Sequence, residues 1–324
     1  MRALGVILVA LLGCRGDERQ PAAKKQETAP AAKQQPADPW KVERDSNAPP
    51  DLAERHRVAD EACPTVTGAF FYRVEKGAKV SYLLGTRHIG VPLAKFPPSV
   101  LQAIDSAKLA VFETPPDKES AFDPPKVDLR TELGPELWAK YERLVGTAMA
   151  KGLERAAPST AMLAVGTLYD DIGAFLDREI VARVQAAKIP TAGLESHELQ
   201  RGLITKILDM RMFRAMLRQT KDRAEIRDDT RKGLAEYCNG TKADAGLSDE
   251  NRKDLMAEGY TKAELDQIEE ELVYRRNNDW IPKLEKLFEQ GNVFVAVGAG
   301  HLRGERGVVT LLEKRGLKLT RITK

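Results

Sequence analysis

Two segments of the chain place a histidine three residues after a glycine that ends an apolar run. One reads YLLGTRHIG over residues 82–90 and the other FVAVGAGHLRG over residues 294–304, giving the pairs Gly85/His88 and Gly298/His301. The chain has only four histidines, so half of them fall in this one context. Glycine there lets the backbone turn sharply and approach a ligand with no Cβ in the way. Two carboxylates hold the same kind of position: Glu113 closes the apolar run 109–112, and Glu195 closes the run 189–194. Ligands of α/β sheets gather beyond the carboxyl ends of parallel strands. If these four runs are parallel neighbours, His88, Glu113, Glu195 and His301 converge there. Two imidazoles and two carboxylates suit a borderline divalent metal such as Mn, Fe, Co or Zn. Each residue also has a plainer reading, since a histidine after a strand is commonly only hydrogen-bonded and a glutamate only solvated.

Arg276 is a further chemical signal. It lies in the apolar stripe Leu265, Ile268, Leu272, Arg276, Trp280, Leu284, Leu287 of a long helix that starts at the capping box Thr261/Glu264. A buried cation needs a carboxylate or an anionic ligand, and Glu113 or Glu195 could serve; snorkelling to solvent is the alternative. Pro282 should kink or restart this helix. His197 is a weaker ligand candidate in a first helical turn, and His56 reads as an idle residue of a tether. The run Gly298, Gly300, Gly304 has the spacing GxGxxxG, which is not the dinucleotide fingerprint, and no HExxH, GxSxG or Walker loop occurs.

The elements that must position these residues alternate. Residues 69–75 and 79–84 read as a hairpin about Lys76-Gly77, 97–108 as a helix and 109–112 as a strand. Residues 121–131 form a Pro- and Asp-bearing loop. Helical periodicity then dominates, with Leu137, Tyr141, Leu144, Ala148 in one stretch and 168–184 in another. Strand 189–194 leads through Ser196 as N-cap into a helix whose buried face carries Leu199, Leu203, Ile207, Met210, Phe213 and Leu217. Residues 224–260 are polar and carry little pattern. The chain closes with strand 293–297, helix 308–315 and strand 317–322. The fold class is α/β: a central mixed sheet flanked by helices, with a large helical middle segment over about 135–290.

The N-terminus reads as an address. Met1-Arg2 is followed by an apolar run over residues 3–13, too short for the roughly 20 residues of a membrane-crossing helix. Leu11-Leu12-Gly13-Cys14 resembles a bacterial lipobox, so residues 1–13 are expected to be a lipoprotein signal peptide and Cys14 the lipidated N-terminus. Arg15 rather than Asp at the next position favours the outer membrane. Residues 14–62 are expected to be a tether poor in apolar residues, with the folded domain spanning 63–324. In an exported protein Cys63 and Cys238 could form a disulfide; two buried thiols is the alternative. The 51 basic and 48 acidic residues are interspersed, which argues against a nucleic-acid surface.

The segments YLLGTRHIG, VFET (111–114), FLD (175–177), AGLES (192–196), RNNDW (276–280) and the long C-terminal block from Phe294 resemble the TraB/GumN family, which includes the TIKI membrane-linked metalloproteases. That resemblance implies a fold similar to erythromycin esterase and the haem-binding ChaN-like proteins. It places the family's paired GxxH motifs on Gly85–His88 and Gly298–His301, its acidic positions on Glu113 and Glu195, and its Arg-Asn pair on Arg276 and Asn277. It also implies Mn- or Co-dependent hydrolysis of peptide bonds. The expected function is therefore an envelope-anchored metal-dependent hydrolase, held to the membrane by its N-terminal lipid and acting on a peptide or protein at the periplasmic or outer surface. The metal would be held by His88, His301 and one or both glutamates. Glu113 would be the general base, and Arg276 with Asn277 would bind the substrate carbonyl oxygen. The alternative is a non-catalytic protein that sequesters a peptide signal or haem.

Overall fold

The computed structural model describes residues 48–116, 124–241 and 247–323. The expected signal peptide, Cys14 and most of the tether lie outside the described residues, as does part of the loop 121–131.

A six-stranded mixed sheet forms from β1 (Phe71–Lys76), β2 (Lys79–Thr86), β3 (Leu109–Phe112), β4 (Thr191–Gly193), β5 (Val293–Gly298) and β6 (Lys318–Ile322), in the order β4-β3-β5-β2-β1-β6. The hairpin β1–β2 closes at Lys76 opposite Lys79, with Gly77 in the left-handed region (φ 58°) that glycine adopts without strain. Strands β2, β5, β3 and β4 run parallel. All six residues of β5 are buried, as expected for a central parallel strand with both faces covered. The four strand ends singled out in the sequence thus share one edge of the sheet.

Two apolar cores result. One joins the sheet to the helices Pro98–Asp105, Leu176–Ala186 and Arg275–Gln290 around Phe70, Phe71, Leu83, Phe294 and Trp280. The other lies within the helical middle, around Trp138, Tyr141, Phe213, Met216 and Leu265.

Several boundaries differ from the sequence reading. The body begins before Cys63: Leu52–Ala62 is a helix, capped where Asp51 accepts the Glu54 N–H at 2.8 Å, and it packs on the helix Arg223–Cys238. Its buried positions are Arg55, Val58 and Ala59, so only two apolar residues signal it. His56 is not idle, because its Nδ1 lies 2.7 Å from Asp171. A disulfide joins Cys63 to Cys238, with Cα atoms 5.8 Å apart.

The stretch 168–184 is helical only from Leu176, since Asp170 pairs with Arg87 and Phe175 forms a bridge with Ile89. The helix after Ser196 breaks at Leu208 and restarts with Asp209 as N-cap. Pro282 does not restart its helix, which runs unbroken from Arg275 to Gln290. The carbonyl it deprives of a partner is that of exposed Asn278, where water can substitute. The irregularity comes earlier, as a π-turn over Glu270–Tyr274 just before Arg276.

Candidate metal centre

The two GxxH motifs make room for one another. A Cβ on Gly298 would lie 3.4 Å from His88 Nε2, 3.1 Å from Glu113 Oε1 and 3.6 Å from His301 Cδ2. A Cβ on Gly85 would press to 2.9 Å or closer on Leu302 and Ala299 of the other motif, and on Phe70. Each glycine therefore admits the partner motif, and both imidazoles lie beside one point at the end of β5. This closeness is possible because β2 and β5 are adjacent parallel strands in register Thr86↔Gly298.

Each buried polar group here is held by named partners. His88 Nδ1 bonds Asp177 Oδ2, and Thr86 donates its hydroxyl to Asp177 Oδ1 at 2.9 Å. His301 Nδ1 faces Asn277 Oδ1 at 2.7 Å. The Asn277 amide donates to the carbonyls of His301 (3.3 Å) and Arg306 (2.9 Å), which fixes the amide orientation and makes His301 Nδ1 the donor. Glu113 Oε1 accepts the Gly298 N–H at 2.7 Å, and its Oε2 accepts from Arg276 (2.7 Å) and Gln200 (2.9 Å).

Arg276 is 3% exposed and does not snorkel. Its Nε donates to Glu195, its Nη2 to both Glu113 and Glu195, and its Nη1 to Leu272 O (2.9 Å) and His301 Nε2 (3.1 Å). All five guanidinium N–H groups are thereby engaged. Trp280 Nε1 donates to Glu195 Oε2 at 3.2 Å, and its ring lies tilted against that of His301, with centroids 4.5 Å apart.

These contacts set the charges. Burial alone would raise Glu113, but the charge of Arg276 above all, the two histidines where they are protonated and the Gly298 N–H outweigh it and bring the carboxyl down to about 2. Burial pushes Glu195 upward against the hydrogen bonds from Arg276. Burial, with Arg276 beside it, lowers His301 to about 3, so its imidazole is neutral at physiological pH. Burial would lower Arg276, yet Glu113 and Glu195 raise it.

The structure brings His88, Glu113, Glu195, Arg276, Asn277 and His301 together, and it revises three roles. Both Glu195 oxygens are engaged by Arg276 and Trp280, so Glu195 anchors the guanidinium and is not placed as a metal ligand. Asn277 is fully buried with both amide hydrogens engaged, so it positions His301 and has no donor for a carbonyl oxygen. Arg276 could bind such an oxygen only by releasing one of its present partners. His197 stands outside the cluster, donating from Nε2 to Pro115 O at 2.8 Å.

Sequence reasoning assigned no role to Asp177, Gln200 or the Trp280 indole N–H. Asp177 closes the FLD segment, so the family resemblance marks its position, but acidic residues are ordinary in the first turn of a helix and nothing local ties it to His88.

Residues 70–321 match the profile of the TraB/PrgY/gumN family. The chain belongs to that family. No curated protein and no solved structure matches it. The match covers the candidate centre and all of the sheet but its final residue, since β1 begins at Phe71 and β6 ends at Ile322.

The donor set has the chemistry for a divalent cation: His88 Nε2 and Glu113 Oε1 border the space beside Gly298, with the His301 ring opposite. Glu113 and Glu195 pair with the Arg276 guanidinium and Asp177 with His88, so carboxylates outnumber the guanidinium and a cation would offset the excess. Its geometry is narrower than the sequence suggested. Among the described residues, no group of three or more His, Cys, Asp or Glu stands ready around one metal position, and His301 Nε2 is turned to Arg276.

Proposed function

We propose that this member of the TraB/PrgY/gumN family is a metal-dependent hydrolase of the cell envelope, tethered through a lipid on Cys14 and acting on peptides or proteins. The observation that carries this reading is the convergence of His88 Nε2, Glu113 Oε1 and His301 within 3.6 Å of the missing Cβ of Gly298. His88 and Glu113 would hold the cation directly, and His301 would join once its Nε2 exchanges its contact with Arg276. A bound Mn, Co or Zn ion would supply an acidified water as nucleophile.

The remaining chemistry belongs to this chain's own residues. Glu113 is the carboxylate nearest that space; with Oε1 toward the cation, its Oε2 would take the proton of an attacking water in exchange for the Gln200 hydrogen bond. Its low pKa makes it a weak base, so it must pass that proton on to the leaving amine rather than retain it. Arg276, released from His301, would direct Nη1 to the developing oxyanion while Glu195 and Trp280 keep its plane fixed. Gln200 steadies Glu113.

The test is metal analysis of the purified body after incubation with Mn or Co, wild type against His88→Ala/His301→Ala. Near-stoichiometric metal in the wild type and its loss in the double variant are expected. Equal metal in both would refute the site.

The second reading is a non-catalytic binder of a peptide signal or haem, and the complete pairing of Arg276 favours it, because a fully paired centre can be purely structural. A Soret band on adding haem, without hydrolysis of unfolded protein substrates, would support that reading over the first.

A further inference from the structure

The two histidines of the centre are backed by unlike groups. Behind His301 stands an amide, Asn277; behind His88 stands a carboxylate, Asp177. Asp177 is reached through a clamp between two distant segments. Gly90 donates its N–H to Ala174 O at 2.9 Å, Leu176 donates to His88 O at 3.1 Å, and Ile89 bridges Phe175. This short antiparallel contact fixes the start of the helix Leu176–Ala186 against the first GxxH motif and aims Asp177 at the outer face of the His88 ring. The Thr86 hydroxyl, two residues before His88, holds the other oxygen of Asp177.

A carboxylate that takes a hydroxyl proton on one oxygen acts as acceptor, so its partner nitrogen is the donor. His88 therefore carries a proton on Nδ1, and in the neutral ring it is Nε2, the atom facing Gly298, that presents the lone pair. We propose that Asp177, braced by Thr86, is the positioning residue that fixes this tautomer of His88 and, through its charge, makes His88 the stronger of the two imidazole donors. Carboxylate-backed histidines are more basic ligands than amide-backed ones, and loss of such a partner typically costs 10–100-fold in metal affinity. The tautomer half of the inference stands on contacts alone; the donor half rests on the metal-centre reading above.

The experiment uses the wild type, Asp177→Ala, Asp177→Asn and, as a control on the exposed pair with Arg211, Glu264→Gln. Long-range ¹H–¹⁵N spectra of the histidine side chains, taken without added metal, read the tautomer. Titration with Co(II), followed by its visible absorption, reads the affinity. The wild type is expected to show His88 protonated on Nδ1. Asp177→Ala is expected to mix the tautomers and weaken Co(II) binding 10–100-fold. Asp177→Asn, whose amide oxygen can still accept from Nδ1 while its NH₂ meets Thr86, should keep the tautomer and fall between the two in affinity. Glu264→Gln should change neither readout.

A wild-type His88 protonated on Nε2 would overturn the inference, and that result needs no variant to fold. So would an Asp177→Ala protein with unchanged tautomer and affinity. If the tautomer shifts as expected but the wild type binds no Co(II), positioning by Asp177 stands and the metal reading falls.

Discussion

The carboxyl edge of the sheet and the helical middle are both densely buried, yet they treat most of their polar groups in opposite ways. At the sheet edge Arg276, Glu113, Glu195, Asn277 and the Trp280 indole N–H each have a directed partner. In the helical middle the Trp138 indole N–H, the Tyr141 hydroxyl and the Asn251 amide nitrogen are buried with no hydrogen-bond partner among the described residues, a state that Arg87 Nε shares at the edge. The edge is specified by direction and charge, the middle by volume. A buried polar network raises the cost of any single deletion, because the group left behind is stranded in a low dielectric. A core packed by shape tolerates loss of a polar atom it never used.

The largest effect expected from this contrast is at Arg276. Arg276→Met keeps the apolar stem and removes the charge, leaving Glu113 and Glu195 buried without their cation. A loss of about 3–5 kcal/mol is expected in urea denaturation. A loss below about 1 kcal/mol would mean the network is not a stabilising unit.

A second test is pH. His301 is lowered in the folded protein to about 3 from an ordinary 6.5. The unfolded chain therefore binds a proton there that the folded protein refuses. This residue's contribution is complete above about pH 6.5 and is lost progressively as pH falls towards 3, with a slope of up to about 1.4 kcal/mol per pH unit. His301→Asn should flatten that limb of the stability–pH curve; an unaltered limb would show that another group titrates.

Smaller effects separate the two regions by one atom. Tyr237 donates its hydroxyl to Gly85 O at 2.9 Å, beside the first GxxH motif. Tyr237→Phe should cost about 1–2 kcal/mol by stranding that carbonyl. Tyr141→Phe removes a hydroxyl with no protein partner and should stay within about 0.5 kcal/mol of wild type or gain stability. Equal losses from both changes, read by thermal unfolding, would erase the distinction between edge and middle.

The edge was the more legible region, for a physical reason. Parallel buried strands leave continuous apolar runs, and the residue closing each run lands on one edge whatever the connections do between them. That is why His88, Glu113, Glu195 and His301 could be placed together. Arg276 was legible because a charge inside the stripe from Leu265 to Leu284 contradicts its neighbours. Their individual roles were not legible, since they depend on which donor each oxygen finds. Glu195 looked like a ligand until both its oxygens met Arg276 and Trp280. Asp177 finds His88 across 89 residues through an isolated bridge, which no local pattern encodes. The helix Leu52–Ala62 was hidden for a simpler reason: its buried face is mostly Arg55, Val58 and Ala59, too little apolar surface to stand out from a tether.

The most direct measurement is anomalous diffraction at the Mn or Co edge from crystals of the metal-soaked protein. An anomalous peak roughly 2.0–2.3 Å from His88 Nε2 and a Glu113 oxygen, beside Gly298, is the expected result. Well-ordered crystals with no peak there, or with the ion bound only to surface carboxylates, would contradict the metal centre.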